Sequence, residues 1–216
     1  MTILGADPPP EFWPREDEHR GQIVRYLRQA GLVVEAQFQD RWDDLRFPAN
    51  GLNPPGPTGA PGVNTTYGFP EFSPTATELV AAFAQFPHAW AEGTIITPHV
   101  HWMKTTSASG LVQWELEWWH VPIAGVVTGL TTRNTDGTVV DGTPDNDTQY
   151  EHLISSFGDV DTTGWSISDM LICHVKRIGG DATYDTYGAD AALLEFDIHY
   201  QRDARGSVNR FNKDAG

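Results

Sequence analysis

The sequence predicts an all-β protein: an antiparallel β-sandwich of jelly-roll type, with an extended N-terminal arm and one peripheral helix. Three observations carry this. Segments that alternate apolar and polar residues at period two recur along the chain, most clearly over 93–120 and 191–202. The apolar fraction, 39%, is rich in flat rings, with eight Trp and ten Phe, which suits a core between sheets better than a leucine seam between helices. Twenty-one Gly and fifteen Pro supply the many turns such a fold needs.

In chain order, residues 1–14 form a Pro-rich arm ending at Phe12-Trp13-Pro14, whose rings gain burial only against another surface. Residues 15–30 form the one helix. Glu16, Asp17 and Glu18 stand at its start and Arg25 and Arg28 near its end, as the helix dipole prefers. Ile23, Val24 and Leu27 make a narrow apolar stripe, and Gly31 stops the helix. Residues 1–31 thus read as a docking segment with Phe12, Trp13, Ile23 and Leu27 as contacts, and residues 32–216 as one sandwich domain.

A strand over 32–38 leads into Trp42-Asp43-Asp44-Leu45-Arg46-Phe47-Pro48, and residues 49–66 are a long Gly/Pro-rich loop. Residues 76–86 have helix-forming composition. They are assigned to a strand because Pro87 ends the run and a strand must lead into the next segment. A bent strand or strand pair over 121–132 is followed by a polar excursion, 133–149, and by strands over 150–157, 166–177 and 191–202. In the last of these, Leu194, Phe196, Ile198 and Tyr200 share one face and Glu195, Asp197 and His199 the other.

A net charge of −15 and a pI of about 4.7 disfavour nucleic acid and anionic membranes as partners. The N-terminus carries no secretory signal pattern, and no run reaches the roughly 18 apolar residues of a membrane span. Cys173 is the only cysteine, so an intramolecular disulfide and a cysteine-based zinc site are both excluded. Its apolar strand predicts a buried, inert thiol. The chain shows no nucleophile elbow, phosphate-binding Gly loop or Walker-type Lys, so no catalytic residue is assigned and the protein is read as a non-enzyme.

Residues 93–120 read as a hairpin, with the turn at 105–109 and Lys104 opposite Gly110. Trp102/Val112, Val100/Trp114 and Ile96/Trp118 then pair on one face, and His101/Gln113, His99/Glu115 and Thr97/Glu117 on the other. His99 and His101 point the same way. With Glu115 they make a two-His, one-carboxylate set suited to a divalent metal; the alternative is ordinary histidines on a polar or interfacial face. Asp197 and His199 join this cluster only if their strand neighbours the hairpin. Glu115 and Glu117, about 7 Å apart, have a separation that glycosidase carboxylates can show, with Trp118 and Trp119 beside them to stack on sugar rings; the commoner alternative is carboxylates on the exposed face of a strand. Trp90 and Trp119 fall outside the core stripe and read as subunit contacts.

Two resemblances follow. Gly93, five residues and His99-Val-His101 resemble the opening of the cupin metal motif, although Thr105 or Thr106 stands where that family has its Glu. More broadly, Gln85-Phe-Pro-His88-Ala-Trp90, Gly93 to Trp102, Gly110 to Glu117, and Asp190-Ala with Glu195-Phe-Asp197-Ile-His199-Tyr200-Gln201 resemble virion structural proteins of tailed bacteriophages. The phage resemblance implies a β-rich accessory protein of the particle: a capsid decoration protein, head fibre or spike, or tail adaptor. Its location would be the virion, its partners other virion proteins, and its state a homo-oligomer, with a trimer favoured. A cupin-like metal-binding protein or enzyme using His99, His101 and Glu115, and a carbohydrate-binding receptor-recognition module, are the alternatives.

Overall fold

A computed structural model describes residues 41–134 and 147–203. The chain divides into two units, Met1–Gln39 and Asp40–Gly216, and the described residues belong to the second. The predicted arm, the helix over 15–30, the strand over 32–38 and the contact residues Phe12, Trp13, Ile23 and Leu27 lie outside the described residues.

The strands are β1 (Arg41–Pro48), β2 (Gly62–Val63), β3 (Pro70–Phe72), β4 (Thr77–Gln85), β5 (Ile96–Lys104), β6 (Trp114–Val121), β7 (Thr128–Asn134), β8 (Leu153–Ser156), β9 (Met170–Ile178) and β10 (Ala191–Arg202). They form two antiparallel sheets. One runs β2-β3-β10-β5-β8, with β1 also paired to β10; the other runs β4-β9-β6-β7. The predicted all-β sandwich is therefore the observed fold.

The sheets bury one face each against the other. Val100 and Trp102 of β5, and Leu193, Phe196 and Ile198 of β10, meet Val80, Ala82 and Ala84 of β4, Leu116 of β6 and Cys173 and Val175 of β9. Trp114 of β6 sits edge-on to Phe72 (5.1 Å between centroids) and to Trp102 (6.0 Å), in the geometry that ring quadrupoles favour. The buried Trp102 indole N–H donates to Ser155 Oγ at 2.9 Å.

The predicted hairpin is not formed. β5 pairs with β10 and β8, whereas β6 pairs with β9 and β7 in the opposite sheet. The reason lies in the connection. Leu111 N–H donates to Thr186 Oγ1, Leu111 C=O accepts from Thr186 and Tyr187, and Gln113 N–H donates to Asp185 Oδ2. Backbone groups that would have closed a ladder onto β5 are spent on residues 185–187 instead. Gly110, at φ +134, passes so close to Tyr187 that a Cβ would lie 2.7 Å from its Cα. The apolar face lies where alternation predicts it, because facing across a sandwich and facing across a hairpin produce the same period-two pattern.

Three further differences bear on the site. Residues 77–85 are indeed a strand, but β1 forms where alternation gave no warning, paired with β10 from Arg41↔Arg202 to Pro48↔Glu195. The register between β10 and β5 slips between Leu193 and Glu195. This bulge turns Leu193 into the core and Leu194 toward the outer face, against the predicted alternation. Trp90, read as a subunit contact, is fully buried and packs against Phe86 in a tilted pair, 4.6 Å between centroids.

Candidate metal centre

The outer face of the first sheet collects titratable side chains from neighbouring strands. β10 lies between β5 and β1, and the register sets His99 across from Asp197, His101 across from Glu195, and His199 across from Asp44. Alternation sends all six outward, since the residues between them (Val100, Phe196, Ile198) fill the core. His152, just before β8, approaches from the other flank of β5. Four of the chain's eight histidines thus meet here: His99, His101, His152 and His199.

Asp197 is the hub. It is 3% exposed, as is His99. His99 Nε2 stands against Asp197 Oδ1, and His101 Nε2 lies 3.2 Å from Oδ2. On the far side of each ring, His99 Nδ1 is 3.2 Å from the Thr97 carbonyl oxygen and His101 Nδ1 is 2.7 Å from His152 Nε2. His199 packs its ring 4.2 Å from that of His99 and places Nε2 3.1 Å from Asp44 Oδ1. Arg46 is held by Glu195 through two 2.7 Å bonds, which fixes the rim. A cleft of about 350 Å³ opens over the group, lined by Asp44, His101, His152, Glu195, Asp197 and His199 among others.

The electrostatics follow from burial and pairing. Burial alone would raise the Asp197 carboxyl, but the His101 and His99 imidazoles outweigh it and hold the group down at about 2. Burial likewise opposes a charge on His99, and Asp197 outweighs it, so His99 is shifted above the ordinary imidazole value. Burial, and then the neighbouring His101, push His152 the other way.

One ligand atom each from His99, His101 and Asp197 lies within 4.8 Å of the others, close enough to share an ion. Two imidazoles and a carboxylate on one face suit a transition metal with open positions left for water or another ligand. The predicted third ligand, Glu115, is not there. It lies on β6 in the other sheet, where Lys176 contacts it at 3.3 Å and contacts Glu117 at 2.5 Å. Asp197 takes its place, as the sequence allowed if the last strand adjoined β5. Asp44 and His152 carry no such signal: Asp44 lies in a segment without clear alternation, and alternation does not reveal that the strand over 150–157 flanks β5.

Trp119 is half-buried on the outer face of the second sheet, edge-on to His174 at 4.8 Å, close to Glu117. Burial lowers the affinity of His174 for a proton, with Lys176 adding to the effect and Glu117 opposing it. Cys173 is fully buried in the core, and burial pushes its thiol far up, which leaves it unreactive.

The sequence matches no protein-family model and no curated protein. Among solved structures, the chain is similar to CBM35 from Cellvibrio japonicus Abf62, at 10% identity and a TM-score of 0.39, over 74% of this chain and 99% of that one. It is also similar to dimeric latent PorU from Porphyromonas gingivalis, at 10% identity and a TM-score of 0.36, over 79% of this chain and 14% of that one.

Proposed function

We propose that this protein is an accessory structural component of a tailed-phage virion, acting by assembly rather than by catalysis. One observation supports the reading above the others. Two of the segments that resemble such proteins, Pro98 to Trp102 and Asp197 to Tyr200, are far apart in the chain yet lie side by side in register, with His99 across from Asp197 and Pro98 across from Ile198. The shared residues therefore make up one three-dimensional unit. In this reading the protein decorates the capsid, forms a head fibre or spike, or adapts the tail, as a homo-oligomer and most simply a trimer. Residues 1–31 dock it to its neighbour.

Mass spectrometry of density-purified particles tests this directly: the protein should band with virions and resist a salt wash. Its recovery only in the soluble lysate fraction would overturn the reading. Deleting residues 1–30 should leave the sandwich folded and abolish incorporation. Light scattering on the isolated chain should give a trimer; a monomer at micromolar concentration would make assembly depend on the particle.

A second reading, a glycan-binding module, is favoured by Trp42. Its ring is 50% exposed and lies 6.4 Å from that of His199, which bonds Asp44. A flat ring beside carboxylates is what stacking and hydrogen bonding to a sugar require. A glycan array that stays blank at high protein concentration would eliminate it.

A further inference from the structure

We propose that His99, His101 and Asp197 bind one divalent first-row transition-metal ion per chain, with the Thr97 carbonyl and His152 orienting the two imidazoles. This does not depend on where the protein assembles. The argument starts from the hydrogens. A carbonyl oxygen only accepts, so the contact between His99 Nδ1 and Thr97 O at 3.2 Å puts the proton of a neutral His99 on Nδ1. Its Nε2 then carries a lone pair, and that lone pair stands against Asp197 Oδ1. His101 takes the same arrangement when His152 Nε2 is the acceptor: Nδ1 then donates to that nitrogen at 2.7 Å, and Nε2, 3.2 Å from Asp197 Oδ2, carries the lone pair.

With neutral rings held this way, electron pairs from two imidazoles and a carboxylate face one another. A cation among them would satisfy all three at once. A divalent metal ion is such a cation, and it takes the rings in their neutral form. A second observation agrees. Asp197 Oδ1 is buried and has no hydrogen-bond partner, its near neighbour being the His99 Nε2 that faces it.

The oriented Nδ1 groups are the usual companions of ligating histidines, which pass their second ring N–H to a carbonyl or another acceptor. Nitrogen donors make up two of the three ligands, which selects zinc, iron(II), cobalt, nickel or manganese over calcium and magnesium. The cleft above the group provides both an entry path and room for the remaining ligands. Because Asp197 comes from the same chain, the site is complete without a symmetry axis, and the stoichiometry is one ion per chain.

The test uses tag-free, full-length protein stripped with a chelator and titrated with zinc and with cobalt(II), whose visible absorption reports coordination. Wild type should take up one ion per chain and develop a cobalt band. His101→Gln and Asp197→Asn should each lose stoichiometric binding, with circular dichroism confirming the fold. The exposed His152 can be changed without touching the core. His152→Ala should therefore keep the stoichiometry while weakening affinity about 10- to 100-fold, and it keeps the proposal testable if the other two variants do not fold. His174→Gln, in the other sheet, should change nothing. No stoichiometric binding by wild type to zinc, cobalt, iron(II) or manganese would overturn the assignment. So would binding that survives His101→Gln and Asp197→Asn, or that is indifferent to His152→Ala.

Discussion

Arg177 and Asp185 form a closed fork within the sandwich, with both side chains fully buried: Nε meets Oδ2 at 2.9 Å and Nη2 meets Oδ1 at 2.8 Å. The other guanidinium hydrogens go to the carbonyls of Phe72, Ala189 and Tyr187, so all five donors are used. Asp185 also accepts from the Gln113 N–H, so this one pair ties the end of β9 to β3, to the connection entering β6 and to the loop before β10.

Removing one partner of such a pair strands a charge in the core. Arg177→Met should destabilise the protein by about 3–5 kcal/mol, read as a lower urea midpoint. A change below about 1 kcal/mol would mean that water reaches Asp185 and that the fork is not a structural tie.

Stability of the metal-stripped protein should pass through a maximum at mildly acidic pH. Asp197 ordinarily titrates near 3.8 and is held at about 2 in the fold, so its contribution is present above 3.8 and lost as pH falls toward 2. That contribution is about 2 kcal/mol. His99 is shifted upward, so its contribution is full below 6.5 and lost as pH rises through its folded value. Thermal melts across pH check both limbs, and Asp197→Asn should flatten the acid one.

Gly110→Ala should destabilise by about 1–3 kcal/mol. The backbone there is at φ +134, and the new Cβ would meet Tyr187 backbone atoms at 2.7 Å. Neither can move without disturbing the connection between the sheets. Chemical denaturation of the variant measures this; an unchanged midpoint would show that the crossover tolerates a different path.

The two tryptophans read from sequence as contacts should separate cleanly. Trp90→Ala should cost about 3–5 kcal/mol as a core truncation. Trp119→Ala should cost about 1 kcal/mol or less in the isolated chain and show its effect in oligomerisation. Urea melts and light scattering on the same two variants settle the assignments.

Period-two alternation made the β content, the inward face of β5 and β6, and most of β10 legible, because burial on one side of a sheet leaves that mark on any strand. It did not reveal which strands pair. Glu115 and Asp197 are equally plausible partners for His99 when only alternation is known, and the choice was made by backbone bonds between 111–113 and 185–187 that leave no compositional trace. Trp90 falls outside the core stripe of the alternating strands, so alternation points it to a contact surface, whereas the turn after β4 buries its ring against Phe86. The bulge at Leu194 moved one apolar residue to the wrong face for a similar reason: a single inserted residue inverts the alternation.

The place of β10 in its sheet has a consequence for synthesis. It pairs with β5 along one flank and with β3 and β1 along the other, so three earlier strands converge on a segment that leaves the ribosome after all of them. Until residues 191–202 emerge, β1 and β3 have no common partner and β5 presents a bare edge. A nascent chain with such edges is prone to pair with its neighbours on the same message. The half-sheet made of β4, β9 and β6 has all its strands before residue 191, so it can close while β10 is still being made.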